Sequence, residues 1–322
     1  MATAASAPAQ ASTTPPDPMV DLKAACANLT QLRQRPLLVL FYPWTARISE
    51  VDLDDVYETL RASGATPENR IPELDVLVDS YGGGPVGGYR LAQLIRDFCD
   101  HAAFLVPDHA YSAATLLCFA GNEVRLAHFA GLSPIDITLL YPRKEVELAT
   151  VESFMEFAQD ARKKIEELLT KMDSKGQTSV EADLLVAMVK EIGAMQVGKY
   201  YRERNLTGQY AEMLLESYMF ADDSDKLQRR QDVIQNFLFR APAHDFHLDY
   251  HLCAEWGVKA VEMPTAESDL AKKVLKELNN LADNDVICRR VNNNKRFPYF
   301  GWYVVAGQAA TPTAQQTGGN VP

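Results

Sequence analysis

Three segments carry residues whose types and spacing could do chemistry. The first is Pro107-Asp108-His109-Ala110-Tyr111-Ser112-Ala113-Ala114, where a serine opens a very apolar stretch. At the start of a helix a serine hydroxyl lies beside free N–H groups and the positive end of the helix dipole, both of which favour a developing oxyanion. The bland reading of the same position is an N-cap, the usual job of serine there. The second segment, DSYGGGPVGGY from Asp79 to Tyr89, places Gly82, Gly83 and Gly84 in a row. Adjacent glycines let the backbone approach a ligand and turn its N–H groups toward it. Their spacing does not match GxGxxG and no GK[ST] follows, so phosphate binding is weakly supported and a tight connection is the rival reading. The third segment holds His244, His247 and His251, with Asp245 and Asp249 between them. On one helix these imidazoles fall at i, i+3 and i+7 and invite a divalent ion. The outer two would stand about 10 Å apart along the axis, so capping and packing are the favoured reading and no metal or cofactor is expected.

The elements that must position these residues follow from apolar patterning. Leu37–Tyr42 and Leu74–Asp79 are apolar runs suited to strands buried on both faces. Ser49 and Asp52 form a capping-box-like pair at the head of a helix with Leu53, Val56, Tyr57 and Leu60 as its buried stripe. A further helix carries Leu91, Leu94, Ile95 and Phe98. It is followed by a strand at Phe104–Val106, a helix from about 112 to 120 and a strand at Val124–Leu126. Such alternation predicts a parallel sheet of right-handed βαβ units, with the glycine turn and Ser112 at the ends of successive units. The second half reads as helical: a long helix over 151–172, then 180–204, 207–219, 226–239, 245–256 and 266–283, with a short strand at Val258–Val261. The aromatic segment from Phe297 to Tyr303 is too apolar for water and should pack on the core or on a neighbouring subunit. The expected organisation is a disordered tail over 1–18, an α/β core over 19–145, a helical extension completing the domain over 146–306, and a second tail over 307–322.

Composition limits the function classes. The chain has 322 residues, 47% of them hydrophobic and 23% charged, the balance of a globular protein with a sizeable core. A net charge of −11 repels phosphate backbones, and the pairs Arg229-Arg230 and Arg289-Arg290 are too small to offset it, so no nucleic-acid partner is expected. Five scattered cysteines without a CxxC pair argue against a disulfide framework and a zinc knuckle. No run approaches the length of a membrane span, and the first residues lack the basic and apolar regions of a secretory signal, so a cytoplasmic address is expected.

In order and spacing, several short motifs resemble those of the serine dehydrogenase proteinase family. That family belongs to the Clp-protease/crotonase superfamily and is related to signal peptide peptidase A. The motifs are Tyr81-Gly82-Gly83 for a "PGG" turn, Ser112-Ala113-Ala114-Thr115 for "SAGT", Asn122–Ala127 for a "DEIVMG"-like strand, and Leu132-Ser133-Pro134-Ile135-Asp136-Ile137 for "LGPIDPQ". The segment HDFHLDYHLCAEWGV is similar to the family's closing "SH…I…EA…LGL" helix and turn. The likeness covers about 37–140 well and 150–280 loosely.

The resemblance implies a Clp/crotonase-like α/β fold, a peptide or protein substrate and assembly as a homo-oligomer. It also implies Ser112 as nucleophile, with the N–H groups of Gly83 and Ala113 as the oxyanion hole. Tyr81, Ala114 and Ser133 depart from the pattern, and Ala114 would be strained if its site required positive φ. Relatives use a histidine with an aspartate or a lone lysine as base, and here the base stays open. His128 lies sixteen residues after Ser112 and could equally be a solvent-facing strand end. Lys144 stands where lysine-dyad relatives place theirs, yet has the charged neighbours of a solvated residue. Lys163 and Lys164 read as surface charges, and His109 as shaping the turn before Ser112. Asp136 could orient a base or cap a structure. The expected function is a serine peptidase. The alternatives are an inactive peptide-binding or assembly protein of the same fold, and a crotonase-like acyl-CoA enzyme, for which no basic patch is evident.

Overall fold

The computed structural model describes residues 17–136, 139–141, 144–146, 163, 194–284, 286–287, 290–291, 295–296 and 298–304. The expected tails fall almost wholly outside the described residues, as do the helix at 151–172, most of the one at 180–204, Lys164 and Cys288.

A six-stranded sheet forms the centre. Its strands are β1 (Leu37–Phe41), β2 (Ile71–Asp79), β3 (Cys99–Val106), β5 (Glu123–Leu126), β9 (Ala260–Glu262) and β12 (Tyr299–Tyr303), in the order β12-β1-β2-β3-β5-β9. Every pairing is parallel except β12 with β1, where Gly301 lies opposite Val39. All five residues of β1 are buried, as the uninterrupted apolar run requires of a strand covered on both faces. The aromatic segment near the C-terminus is thus the antiparallel edge of the core sheet, and the second half of the chain supplies both edge strands. Two short antiparallel pairs stand apart from the sheet: β7 (Leu139–Tyr141) with β8 (Lys144–Val146), and β10 (Arg290–Val291) with β11 (Lys295–Arg296).

Helices cover the faces. α1 (Val20–Arg33) buries Leu22, Ala25, Cys26 and Leu29 against the C-terminal helix Thr265–Asp283. α2 (Leu53–Arg61) follows a single 3₁₀ turn headed by the capping box: the Ser49 N–H donates to Asp52 Oδ2 at 2.8 Å. α3 (Pro85–Phe98) leaves the glycine turn with a proline in its first turn, where a missing N–H costs nothing. α4 (Ala113–Cys118) is short and buried throughout. Phe237 meets Phe119 edge-on at 5.4 Å and Trp256 at 5.5 Å, tying the later helices to α4.

A second ladder runs beyond the carboxyl ends of β2 and β3. β4 (His109–Ala110) pairs with β6 (Gly131–Leu132), Ser80 bridges to Ala110, and Leu132 exchanges both backbone hydrogen bonds with Leu248. These pairings bring four stretches distant in sequence to one place, the crevice outside the strand ends where open α/β sheets bind ligands.

The helix expected over 245–256 is shorter, Tyr250–Glu255, because Asp249 caps it by accepting the Leu252 N–H at 2.9 Å. His244 and His247 therefore precede the helix, and the single face of three imidazoles does not form.

Candidate active site

The glycine turn and the serine elbow touch. Gly82 has φ +90°, and a Cβ placed there would lie 2.6 Å from the Tyr111 carbonyl oxygen and 2.8 Å from Ser112 Cβ. Only glycine supplies both that dihedral and that clearance. On its other side the turn is stitched to the loop after β1: the Ile48 N–H donates to the Gly82 carbonyl at 3.0 Å, and the Gly84 N–H to the Ile48 carbonyl at 2.9 Å.

Ser112 has φ +53° and ψ −115°, one of three non-glycine residues with positive φ among those described. A β-carbon in this region costs on the order of 1–3 kcal/mol and persists only where its surroundings hold it. The strain falls on the serine itself. Ala114, whose side chain raised that concern, sits in ordinary helical backbone. The holding groups are polar and buried. Ser133 Oγ accepts the Ser112 N–H at 2.7 Å. Thr115 Oγ1 lies 2.7 Å from the Ala110 carbonyl and 2.9 Å from the Ser133 carbonyl, and accepts the Ser133 N–H at 3.1 Å. Thr115→Val keeps the shape and strands these partners, so we expect a loss of about 2–3 kcal/mol in urea unfolding. A change under about 0.5 kcal/mol, within the scatter of neutral surface substitutions, would remove this network as the support of the elbow.

Ser112, Gly83, Ala113 and Asp136 line one cleft of about 470 Å³, together with Arg47, Tyr81, Tyr111, Glu203, His244 and Asp245. Asp136 is buried and 2.7 Å from His244 Nδ1, with the imidazole 24% exposed toward the cleft. The Ile135 N–H donates to the Phe237 carbonyl at 3.0 Å and fixes this segment from below. Among the described residues the N–H groups of Gly83 and Ala113 have no hydrogen-bond acceptor. The arrangement can supply a hydroxyl, an imidazole oriented by a carboxylate, and two backbone donors to one ligand.

The other sequence candidates lie elsewhere. The His128 side chain is 65% exposed, with Nδ1 3.3 Å from Glu262 Oε1, and does not line the cleft. Lys144 opens β8, with its side chain outside the described part. Lys163 is exposed. His247 Nδ1 is 3.0 Å from the Tyr111 hydroxyl, and the His251 ring lies 3.8 Å from the Tyr250 ring at a tilt of 34°. By sequence His244 reads as a metal ligand or a cap, not as a base. The usable signal is its place in the segment matched to the "SH" of the closing motif.

Beneath the cleft lies a second titratable group. The His109 ring is buried at 4.0 Å from the Tyr81 ring and 5.2 Å from the Tyr111 ring, with Nδ1 3.2 Å from Asp108 and 3.5 Å from Asp79. Burial pushes the Asp79 carboxyl up to about 6 despite the pull of His109. Burial pulls His109 down, but its hydrogen bond to Asp108 and the charges of Asp79 and Asp108 outweigh that and leave it raised. The folded state therefore holds the Asp79 proton more tightly than the unfolded chain, and stability falls as pH rises from about 4 through about 6. His109, also raised, loses its contribution in the same direction. Asp79→Asn keeps the acceptor for the His109 N–H, 3.3 Å away, and removes the ionisation. We expect the variant to be more stable than the parent by roughly 2–3 kcal/mol at pH 7, with the gap closing toward pH 4 in urea titrations. A variant less stable than the parent at pH 7 would mean that the carboxylate is net favourable.

No family model matches the chain. The uncharacterized protein MJ0137 of Methanocaldococcus jannaschii is 24% identical over 161 residues, 50% of this chain and 55% of that protein. The chain thus spans about half the length of the curated relative it matches. Among solved structures, the chain is similar to the 1510-N membrane-bound stomatin-specific protease in a serine-to-alanine variant, at 13% identity and a TM-score of 0.39, covering 70% of this chain and 79% of that one. It is also similar to ClpP1 from Listeria monocytogenes in an asparagine-to-aspartate variant, at 12% identity and a TM-score of 0.34, covering 74% and 99%. Both likenesses are remote, and the α/β fold rests on the mostly parallel six-stranded sheet and its covering helices. Among the described residues no helix is long and apolar enough to cross a membrane.

Proposed function

We propose that the chain is a serine peptidase of the Clp/crotonase type. In this reading Ser112 Oγ attacks the scissile carbonyl and its proton passes to His244 Nε2. Asp136, on Nδ1, fixes the tautomer and stabilises the imidazolium. The Gly83 and Ala113 N–H groups take the oxyanion, and the imidazolium then returns the proton to the leaving amine. Water attacks the acyl-enzyme with His244 again as base, releasing the acid and restoring the serine. The observation that carries this reading is the His244–Asp136 pair at 2.7 Å, in the same cleft as a serine held at positive φ.

The substrates would be peptides or proteins, and self-association is part of the proposal. Light scattering that gives a mass near the 35.8 kDa of one chain would remove that part. The test of the reaction is fluorophosphonate labelling of the native chain beside Ser112→Ala. Labelling that the substitution abolishes supports the peptidase. A chain that never labels is the binding or assembly protein that the fold also permits.

A further inference from the structure

Among the described residues the cleft is lined by three carboxylates, Asp136, Glu203 and Asp245, and one guanidinium, that of Arg47. In a chain of net charge −11, an arginine among acids ordinarily pairs with one of them. Among the described residues Arg47 has no carboxylate within 4.0 Å. Its Nη1 instead donates to two carbonyls of its own loop, Trp44 at 2.7 Å and Ala46 at 2.9 Å. Those bonds hold the side chain in place, and among the described residues Nε and Nη2 have no hydrogen-bond partner. The backbone beneath it is fixed as well, because the next residue, Ile48, forms a parallel bridge to Gly83 and clamps the glycine turn. The cation is thus pre-positioned on the segment bonded to Gly82 and Gly84, and it opens on the same cleft as Ser112. A guanidinium with its stem fixed and a two-donor edge free matches a carboxylate, and holding the stem in advance lowers the entropy lost on binding.

We propose that Arg47 is a specificity residue that selects peptides carrying a carboxylate close to the bond presented to Ser112. The carboxylate would come from an acidic side chain or from the free C-terminus. This inference rests on the peptidase reading for its substrate class. Its contact is a binding contact and is testable without turnover.

The test uses the full chain with Ser112→Ala, titrated calorimetrically with four alanine-rich hexapeptides. One is capped at both ends and neutral, one has a free C-terminal carboxylate, one is capped with an internal glutamate, and one is capped with an internal lysine. We expect at least one carboxylate peptide to bind about tenfold more tightly than the neutral one, and the lysine peptide to bind no better than neutral. Whichever carboxylate peptide gains identifies the source. Adding Arg47→Gln should bring all four within about twofold of one another, and Arg47→Lys should restore part of the preference. Arg47 is exposed, so these substitutions leave the core untouched. Equal binding of all peptides, tighter binding of the lysine peptide, absence of any binding, or a preference that survives Arg47→Gln would each overturn the inference. Fluorophosphonate labelling of the native serine reports separately on the peptidase reading. A chain that labels without preference keeps the reading and loses the specificity residue. One that prefers carboxylates without labelling loses the reaction and keeps the site.

Discussion

A fluorophosphonate probe is expected to label the native chain at a single residue, and Ser112→Ala is expected to leave no label. The probe reacts only with a hydroxyl that is deprotonated as it attacks and whose phosphoryl oxygen finds donors, so it samples nucleophile, base and oxyanion hole together. Serines outside the cleft, the exposed Ser224 and the half-buried Ser63 among them, serve as the internal control. The size of the effect follows from what the site assembles. A positioned base contributes about 10²–10⁴-fold and a pair of oxyanion donors a comparable factor, so the loss on removing the hydroxyl should exceed about 10⁴ in labelling rate. Ser112→Gly sharpens the test. It removes the same hydroxyl and also the β-carbon strained at φ +53°, so it should unfold at higher urea than Ser112→Ala while labelling equally little. If both variants label like the parent, the nucleophile is another residue and the peptidase reading fails.

What is legible in the sequence is local. β1 stands out because a strand buried on both faces is apolar at every position, and β2 follows it over Val76–Val78, its buried Asp75 being paired with Arg33 at 2.8 Å. The Ser49/Asp52 pair marks a helix start by chemistry confined to four residues. Motif order pairs the glycine turn with Ser112, and Gly82 shows the physical reason: any β-carbon there would collide with the elbow. The less legible parts depend on contacts distant in sequence. His244 and Asp136 are 108 residues apart, and no local pattern tells an imidazole at a loop end from one on a helix face. The place of His244 is decided by Leu248 pairing with Leu132, together with the cap at Asp249. α1 escapes a reading by pattern because its buried stripe mixes leucine with the smaller alanine and cysteine, and polar residues interrupt it at almost every turn. What orders that helix is burial against another more than 230 residues later. The aromatic run near the end can be placed on the core but not in it, since antiparallel addition beside β1 depends on an edge that the sequence does not advertise.

Replacing His244 by alanine should lower kcat/KM for a peptide substrate, and the labelling rate with it, by about 10³–10⁴-fold while leaving the fold intact. The imidazole is partly exposed and contributes little to the core, so unfolding should shift by less than about 1 kcal/mol. With Nδ1 donating to Asp136, the lone pair sits on Nε2, the atom that can take the serine proton. Asp136→Asn tests that division of labour. An amide at the same place can present N–H to Nδ1 and reverse the tautomer, putting the hydrogen on the nitrogen that must accept. The loss should therefore approach that of His244→Ala rather than the few-fold effect of a missing surface charge, and it should appear in kcat more than in KM. In the proposed reaction the pair acts as a unit, so His244→Ala with Asp136→Asn should be no worse than His244→Ala alone. Additive losses would mean that the carboxylate acts through some other group. Full activity of His244→Ala would return the search for the base to Lys144, whose backbone lies in the hairpin that follows Asp136.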